Sequence, residues 1–180
     1  ALLIYSEIHV MIRVSCKACS YRVLERVGKQ QILDILQDPR FKFYEEDGSG
    51  GLWLGKAYGP GAAYERDPLK GLSHGATTYQ AARFYCGLQR GTMVGPAANR
   101  LMLEALANPG IEHKFVKGLQ GYDEVEIYRK SGTWQSWHAD SALVRDGKYV
   151  YVIVGLADDP DGGAWLERLA ARLHDLVATP

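Results

Sequence analysis

The run Tyr128-Arg129-Lys130-Ser131-Gly132-Thr133-Trp134 places an ammonium, a hydroxyl and a residue without a side chain in direct succession. On a strand bordering a cleft, these supply a cation, a hydroxyl and an unobstructed backbone N–H, which together hold a carboxylate and an oxyanion. Gly132 lets a ligand approach the backbone closely. Lys-Ser-Gly is also the composition of an ordinary solvated strand end or turn, so the surrounding elements must decide between the two readings.

Those elements follow from periodicity. Val125 to Lys130, Trp137 to Arg145 and Tyr149 to Ala157 alternate as three strands, and Asp146-Gly147 makes the last two a hairpin. The end of the chain predicts a helix in which Trp165, Leu166, Leu169, Leu173, Leu176 and Val177 share one stripe that covers a face of the sheet. Upstream, Met11, Ile12, Val14, Val23, Leu24, Val27, Ile32, Leu33 and Leu36 recur at helical spacing. Helices are therefore predicted from Leu2 to Leu36, broken near Gly28 and stopped at Asp38-Pro39. Glycine and aromatic residues between Arg40 and His74 predict a long irregular loop. Thr77 and Gln80 have capping-box spacing for a helix to about Gln89, ended by Gly91, and Gly95-Pro96 opens another through Ala107. The whole is an α+β arrangement: a helical part over 1–110 containing the loop 40–76, then an antiparallel three-stranded sheet and a C-terminal helix over 111–180.

Composition excludes several function classes. The 21 basic and 21 acidic residues cancel, so no overall field favours nucleic acid or another polyanion. Glu7, His9 and Arg13 interrupt the apolar start, and no run approaches the roughly twenty apolar residues of a membrane span. The start at Ala1, with no basic leader before Leu2-Leu3-Ile4, reads as mid-chain. Cys16, Cys19 and Cys86 are too few for a disulfide framework. Cys16-Lys17-Ala18-Cys19 has the spacing of a zinc or redox pair, but no second pair follows and no strand precedes it, so neither role is adopted. His9, His74, His113, His138 and His174 lack metal spacing and are expected to be hydrogen-bonded structural residues. Gly48-Ser49-Gly50-Gly51 is expected to be a flexible turn and not a phosphate loop. Trp53, Tyr58, Tyr64, Trp134 and Trp137 either wall a ligand groove or pack back onto the core. No metal and no cofactor is implied.

Helices, a long loop, a capped helix, Lys-Ser-Gly, two further strands and a terminal helix form an order that resembles the carboxy-terminal part of class A β-lactamases and other penicillin-recognising serine hydrolases. The resemblance implies a β-lactamase/transpeptidase-like fold whose amino-terminal strands are missing, the whole chain forming one partial catalytic domain. It implies that Lys130 and Ser131 bind the carboxylate of a β-lactam, with the Thr133 amide as an oxyanion-hole donor. Met11 to Cys19 resembles the family's Ser-Asp-Asn segment, so Ser15 matches the serine that relays a proton to the leaving nitrogen. Cys16 stands where aspartate is usual, and Lys17 replaces a substrate-contacting asparagine, supplying donors and no acceptor. The family's nucleophile motif, Ser-x-x-Lys, occurs nowhere in the 180 residues and is expected before Ala1. No Glu-x-x-Leu-Asn pattern marks a deacylating glutamate, and Glu45, Glu46 and Glu65 receive no role.

The resemblance thus implies an acyl-enzyme hydrolase with catalytic Ser15 and Lys130 and with substrate binding by Lys17, Ser131, Gly132 and Thr133. The alternative is a non-catalytic binding module. The implied partner is a small molecule, β-lactam-like or a peptide or ester, with no nucleic acid and no membrane span. A periplasmic or secreted location follows from the resemblance. The apolar strand Tyr149 to Val154 is expected to leave an open edge, inviting self-association.

Overall fold

The computed structural model describes residues 2–147 and 149–178, so Lys148, which follows the predicted Asp146-Gly147 turn, lies outside the described residues. The chain forms two compact units, one of Ala1–Met11 with Cys16–Phe84 and one of Ile12–Ser15 with Tyr85–Pro180.

The first unit carries helix α1 (Leu2–Arg13) as far as Met11, helices α2 (Lys17–Val27) and α3 (Lys29–Gln37), and the beginning of α4 (Thr78–Arg90). The predicted break at Gly28 is present, with φ of 91° that only glycine adopts readily, and α3 stops at Asp38 before Pro39. A second break, unforeseen in the periodicity, separates α1 from α2, and Ser15 lies in it with φ of 54°. The α4 start agrees with the capping box, since the Gln80 N–H donates to Thr77 Oγ1 at 3.2 Å. Between α3 and α4 the long loop contains four two-residue strands, β1 (Tyr44–Glu45) paired with β2 (Gly50–Gly51) and β3 (Trp53–Leu54) paired with β4 (His74–Gly75). Its order comes from two sources. Leu33, Tyr44 and Trp53 form a small core with Tyr64 packed against it. The buried Asp67 carboxylate accepts the Tyr44 hydroxyl at 2.8 Å and the N–H groups of Leu69, Lys70 and Leu72. A charged acceptor satisfied four times replaces the ladder that longer strands would provide. The aromatic residues split accordingly: Trp53 is core, whereas Tyr58, Trp134 and Trp137 are exposed.

The second unit contains the rest of α4, α5 (Pro96–Leu106), α6 (Phe115–Leu119), strands β5 (Val125–Trp134), β6 (Trp137–Asp146) and β7 (Tyr149–Asp158), and α7 (Gly162–Ala178). The strands form one antiparallel sheet in the order β5-β6-β7. Alternation assigns the faces. Ile127, Ala142, Val144, Ile153 and Tyr151 pack with Phe115 and Leu119 of α6 and with Leu166 and Ala170 of α7. On the opposite face Leu143 is fully buried and the Tyr85 hydroxyl of α4 donates to Ser141 O at 2.9 Å. The architecture is α+β, a helical subdomain with an antiparallel sheet and a C-terminal helix.

Two expectations are corrected. The buried stripe of α7 is Gly162, Leu166, Ala170 and His174, with Leu173 partly buried, whereas Trp165, Leu169, Leu176 and Val177 are exposed. The reason is steric: a Cβ on Gly155 would lie 2.3 Å from Leu166 Cδ2, so Gly155 leaves on β7 the space that Leu166 fills, and this contact sets which stripe of α7 faces the sheet. Lys130-Ser131-Gly132 does not end its strand, because β5 continues to Trp134 and turns through Gln135, whose φ of 54° suits a tight hairpin.

Candidate active site

The α1–α2 turn and the distal half of β5 meet within the second unit. Arg13 anchors the turn: its carbonyl accepts the Gly110 N–H at 3.0 Å, and its Nε donates to Asn108 O at 2.8 Å. Held there, Ser15 adopts a left-handed conformation uncommon for a residue with a side chain, the kind of strain that persists where surrounding contacts impose it. Lys130 Nζ donates to Ser15 Oγ at 2.5 Å across 115 residues of sequence, and it also donates to Ser131 O. Burial lowers the Lys130 pKa, helped by the nearby Arg129 charge and opposed by Asp140.

Strand alternation sends Ser131 to the other face. Its hydroxyl lies 3.1 Å from His113 Nε2, with the donor set by the imidazole tautomer. His113 is driven down to about 4 by burial and by the charges of Arg129, Lys114 and Lys130, so it is neutral at pH 7. Gly132 and Thr133 are exposed, and a Cβ on Gly132 would meet nothing closer than 4.0 Å. The two-residue turn closes on the pair Trp134 and Trp137. From a closing pair whose N–H and C=O groups bond to each other, hydrogen bonding alternates along the ladder, which directs the Thr133 N–H away from β6 and across the outer edge of β5. That edge is bridged at Tyr128 by Ala107.

Beneath this strand lie charged groups that the sequence reading missed. Lys114 is almost fully buried and donates from Nζ to Gly132 O at 2.6 Å, Thr133 Oγ1 at 2.8 Å and Ala139 O at 3.2 Å. Burial lowers its pKa to about 8, with the charges of Arg129 and Lys130 adding and Asp140 opposing. Arg129 pairs with Asp140 through Nε at 2.6 Å and Nη2 at 2.7 Å, and also donates to the carbonyls of Ile111 and His113. Asp140 further accepts the N–H groups of Phe115 and Ser141. One signal for this network was present. Arg129 shares a strand face with Ile127, and Asp140 shares one with Ala142 and Val144, so both are charges at core-facing positions and call for partners.

Lys17, the remaining predicted site residue, is the first residue of α2 and is exposed. Cys16 and Cys19 are joined by a disulfide, which the sequence reading did not adopt, and Cys86 is a free thiol. Among the described residues no cluster of three or more His, Cys, Asp or Glu is placed to hold a metal ion, and no helix is long and apolar enough to cross a membrane.

Chemically, Lys130 sets a positive charge beside the Ser15 hydroxyl, which favours release of that proton and capture of an anion. The Thr133 N–H adds a neutral donor on the same strand.

Comparison with solved structures places this arrangement in a known fold. The β-lactamase from Sphaerobacter thermophilus DSM 20745 superposes with a TM-score of 0.75 at 14% identity, over 97% of this chain and 63% of that one. A class A β-lactamase of the last common ancestor of Gram-negative bacteria gives 0.74 at 16% identity, over 96% and 64%. A PBP-A variant in acyl-enzyme complex with penicillin G gives 0.69 at 13% identity, over 93% and 59%. The chain therefore spans less than two thirds of each of these structures. No curated protein matches it. The model of the β-lactamase enzyme family matches residues 8–177, nearly the whole chain, and the chain accordingly belongs to that family.

Proposed function

We propose that this chain supplies the carboxylate-binding and proton-relay side of a class A-type serine hydrolase that opens β-lactams or related amides and esters through an acyl-enzyme. The observation that carries the proposal is the Lys130 Nζ–Ser15 Oγ bond of 2.5 Å beside the exposed Gly132-Thr133 edge. In this reading Lys130 attracts the substrate carboxylate and acidifies the Ser15 hydroxyl. Ser15 hands a proton to the departing nitrogen, and the Thr133 N–H stabilises the oxyanion. Gly132 completes the binding edge, whereas the Ser131 hydroxyl is turned to His113 on the other face. The acylated serine belongs to a Ser-x-x-Lys motif that the 180 residues do not hold, so the whole protein would provide it from elsewhere. A periplasmic or secreted location accords with this substrate class.

A second reading, a non-catalytic binding module, is favoured by the Ser15-Cys16-Lys17 triplet. The test titrates a carboxylate-bearing reporter penicillin against the chain and its Lys130→Met variant, with mass spectrometry for adducts. The hydrolase reading expects Lys130→Met to weaken binding about tenfold or more, as loss of a charge-assisted contact does. Binding indifferent to Lys130 would overturn it. A covalent adduct or hydrolysis by the chain itself would overturn the module reading.

A further inference from the structure

The Cys16–Cys19 bridge lies outside the proposed hydrolase chemistry, and its surroundings are those of a reactive sulfur pair. Cys16 is the N-cap of α2, an eleven-residue helix, and its Sγ accepts the Cys19 N–H at 3.1 Å. A helix N-terminus favours negative charge at that sulfur. Cys19 is buried at 5% exposure, and Arg22 Nη2 lies 3.5 Å from its Sγ, held by an ion pair between Arg22 Nε and Glu7. Cys16 is partly exposed, so one sulfur can be reached and the other is sheltered beside a guanidinium.

We propose that Cys16–Cys19 is an exchange-active disulfide that reacts with low-molecular-weight thiols through Cys16. A thiolate RS⁻ attacks Cys16 Sγ, the S–S bond breaks, and its electron pair leaves on Cys19 Sγ, where Arg22 stabilises the charge. A second RS⁻ attacks the R sulfur of the mixed disulfide, forming RSSR and releasing the Cys16 thiolate onto the helix N-terminus. Two RSH supply two electrons and two protons, leaving two protein thiols and one RSSR. Stabilised thiolates favour the reduced form, and a good leaving group speeds the first step. The reaction takes place one peptide bond from Ser15.

The experiment equilibrates the folded chain, carrying Cys86→Ser, with millimolar glutathione at graded ratios of reduced to oxidised form. Alkylation and peptide mass mapping then read the fraction reduced. The bridge is expected to titrate within glutathione buffers while circular dichroism keeps the helical signal. Arg22→Gln is expected to lower the reduced-to-oxidised ratio about threefold, a size fitting a half-exposed guanidinium. Arg26→Gln, which loses the other arginine on Glu7, leaves the ratio unchanged. Alkylation of reduced Cys16 is expected to titrate below the ordinary thiol value of about 8.5. The proposal is overturned by a bridge that resists glutathione until the chain unfolds, by loss of the fold on reduction, or by a ratio indifferent to Arg22.

Discussion

Lys114 offers a test with a calculable size. The residue is 3% exposed and its ammonium spends three donors on Gly132 O, Thr133 Oγ1 and Ala139 O, yet burial still lowers its pKa from 10.5 to about 8. The folded state therefore releases this proton before the unfolded chain does. Below pH 8 both states hold it and the penalty for the buried charge is fully present. Between pH 8 and 10.5 the unfolded chain binds more protons, so stability rises with pH. At about 1.4 kcal/mol per pH unit, the gain reaches roughly 2 to 3 kcal/mol by pH 10. Lys114→Met removes the titrating group, so the assay is urea unfolding of both proteins from pH 7 to 10, plotted as wild type minus variant. Taking the difference cancels the tyrosines, including Tyr85 and Tyr151, which burial raises to about 12. A flat difference would refute the reasoning, and a falling one would show that the hydrogen bonds outweigh burial. Affinity for a carboxylate ligand should move the other way over the same interval, falling as the positive charge behind Thr133 is lost.

The other expectations concern the same unit. Arg129→Met leaves the Asp140 carboxylate buried without its bidentate partner and should cost about 3–5 kcal/mol, whereas Arg129→Met with Asp140→Leu should cost clearly less than the two single changes summed, both read by chemical denaturation. His113, lowered to about 4, should contribute stability above pH 6.5 that is lost as pH falls towards 4, and its imidazole NMR shifts should stay those of the neutral ring at pH 6. Gly118→Ala puts a Cβ 2.2 Å from Glu167 O, a backbone atom, so α6 must move from α7, with an expected loss of about 1–3 kcal/mol in thermal or urea unfolding. Among the described residues no strand pairs with the outer edge of β7, and Val150 and Leu156 are exposed, so light scattering should show concentration-dependent self-association, against which a monodisperse monomer would count.

What was legible in the sequence was local. The left-handed turn at Gly28, the stop before Pro39, the Thr77 cap and the tight turn after Asp146 depend on residues within a few positions of each other. Lys130, Ser131, Gly132 and Thr133 could be singled out for the same reason, since four contiguous residues on one strand form a pattern without help from elsewhere. The α7 stripe failed because helical spacing says which residues share a face, not which face a close-packed sheet accepts. Gly155 makes room for Leu166, which turns the stripe Leu166, Ala170 and His174 to the sheet and leaves Trp165 and Leu169 outside.

By itself, the sequence determined the α+β order, the strand carrying the lysine and hydroxyl, and the family. Tertiary structure alone decided that Ser15 receives the Lys130 proton donor, that Lys114 and His113 underlie the next three residues of β5, and that Arg129 and Asp140 neutralise each other. The physical reason is range. Backbone preferences and apolar periodicity act between near neighbours, whereas a buried charge is satisfied by whichever acceptor the packed core brings within about 3 Å, and nothing in the spacing of Ser15 and Lys130 records that distance.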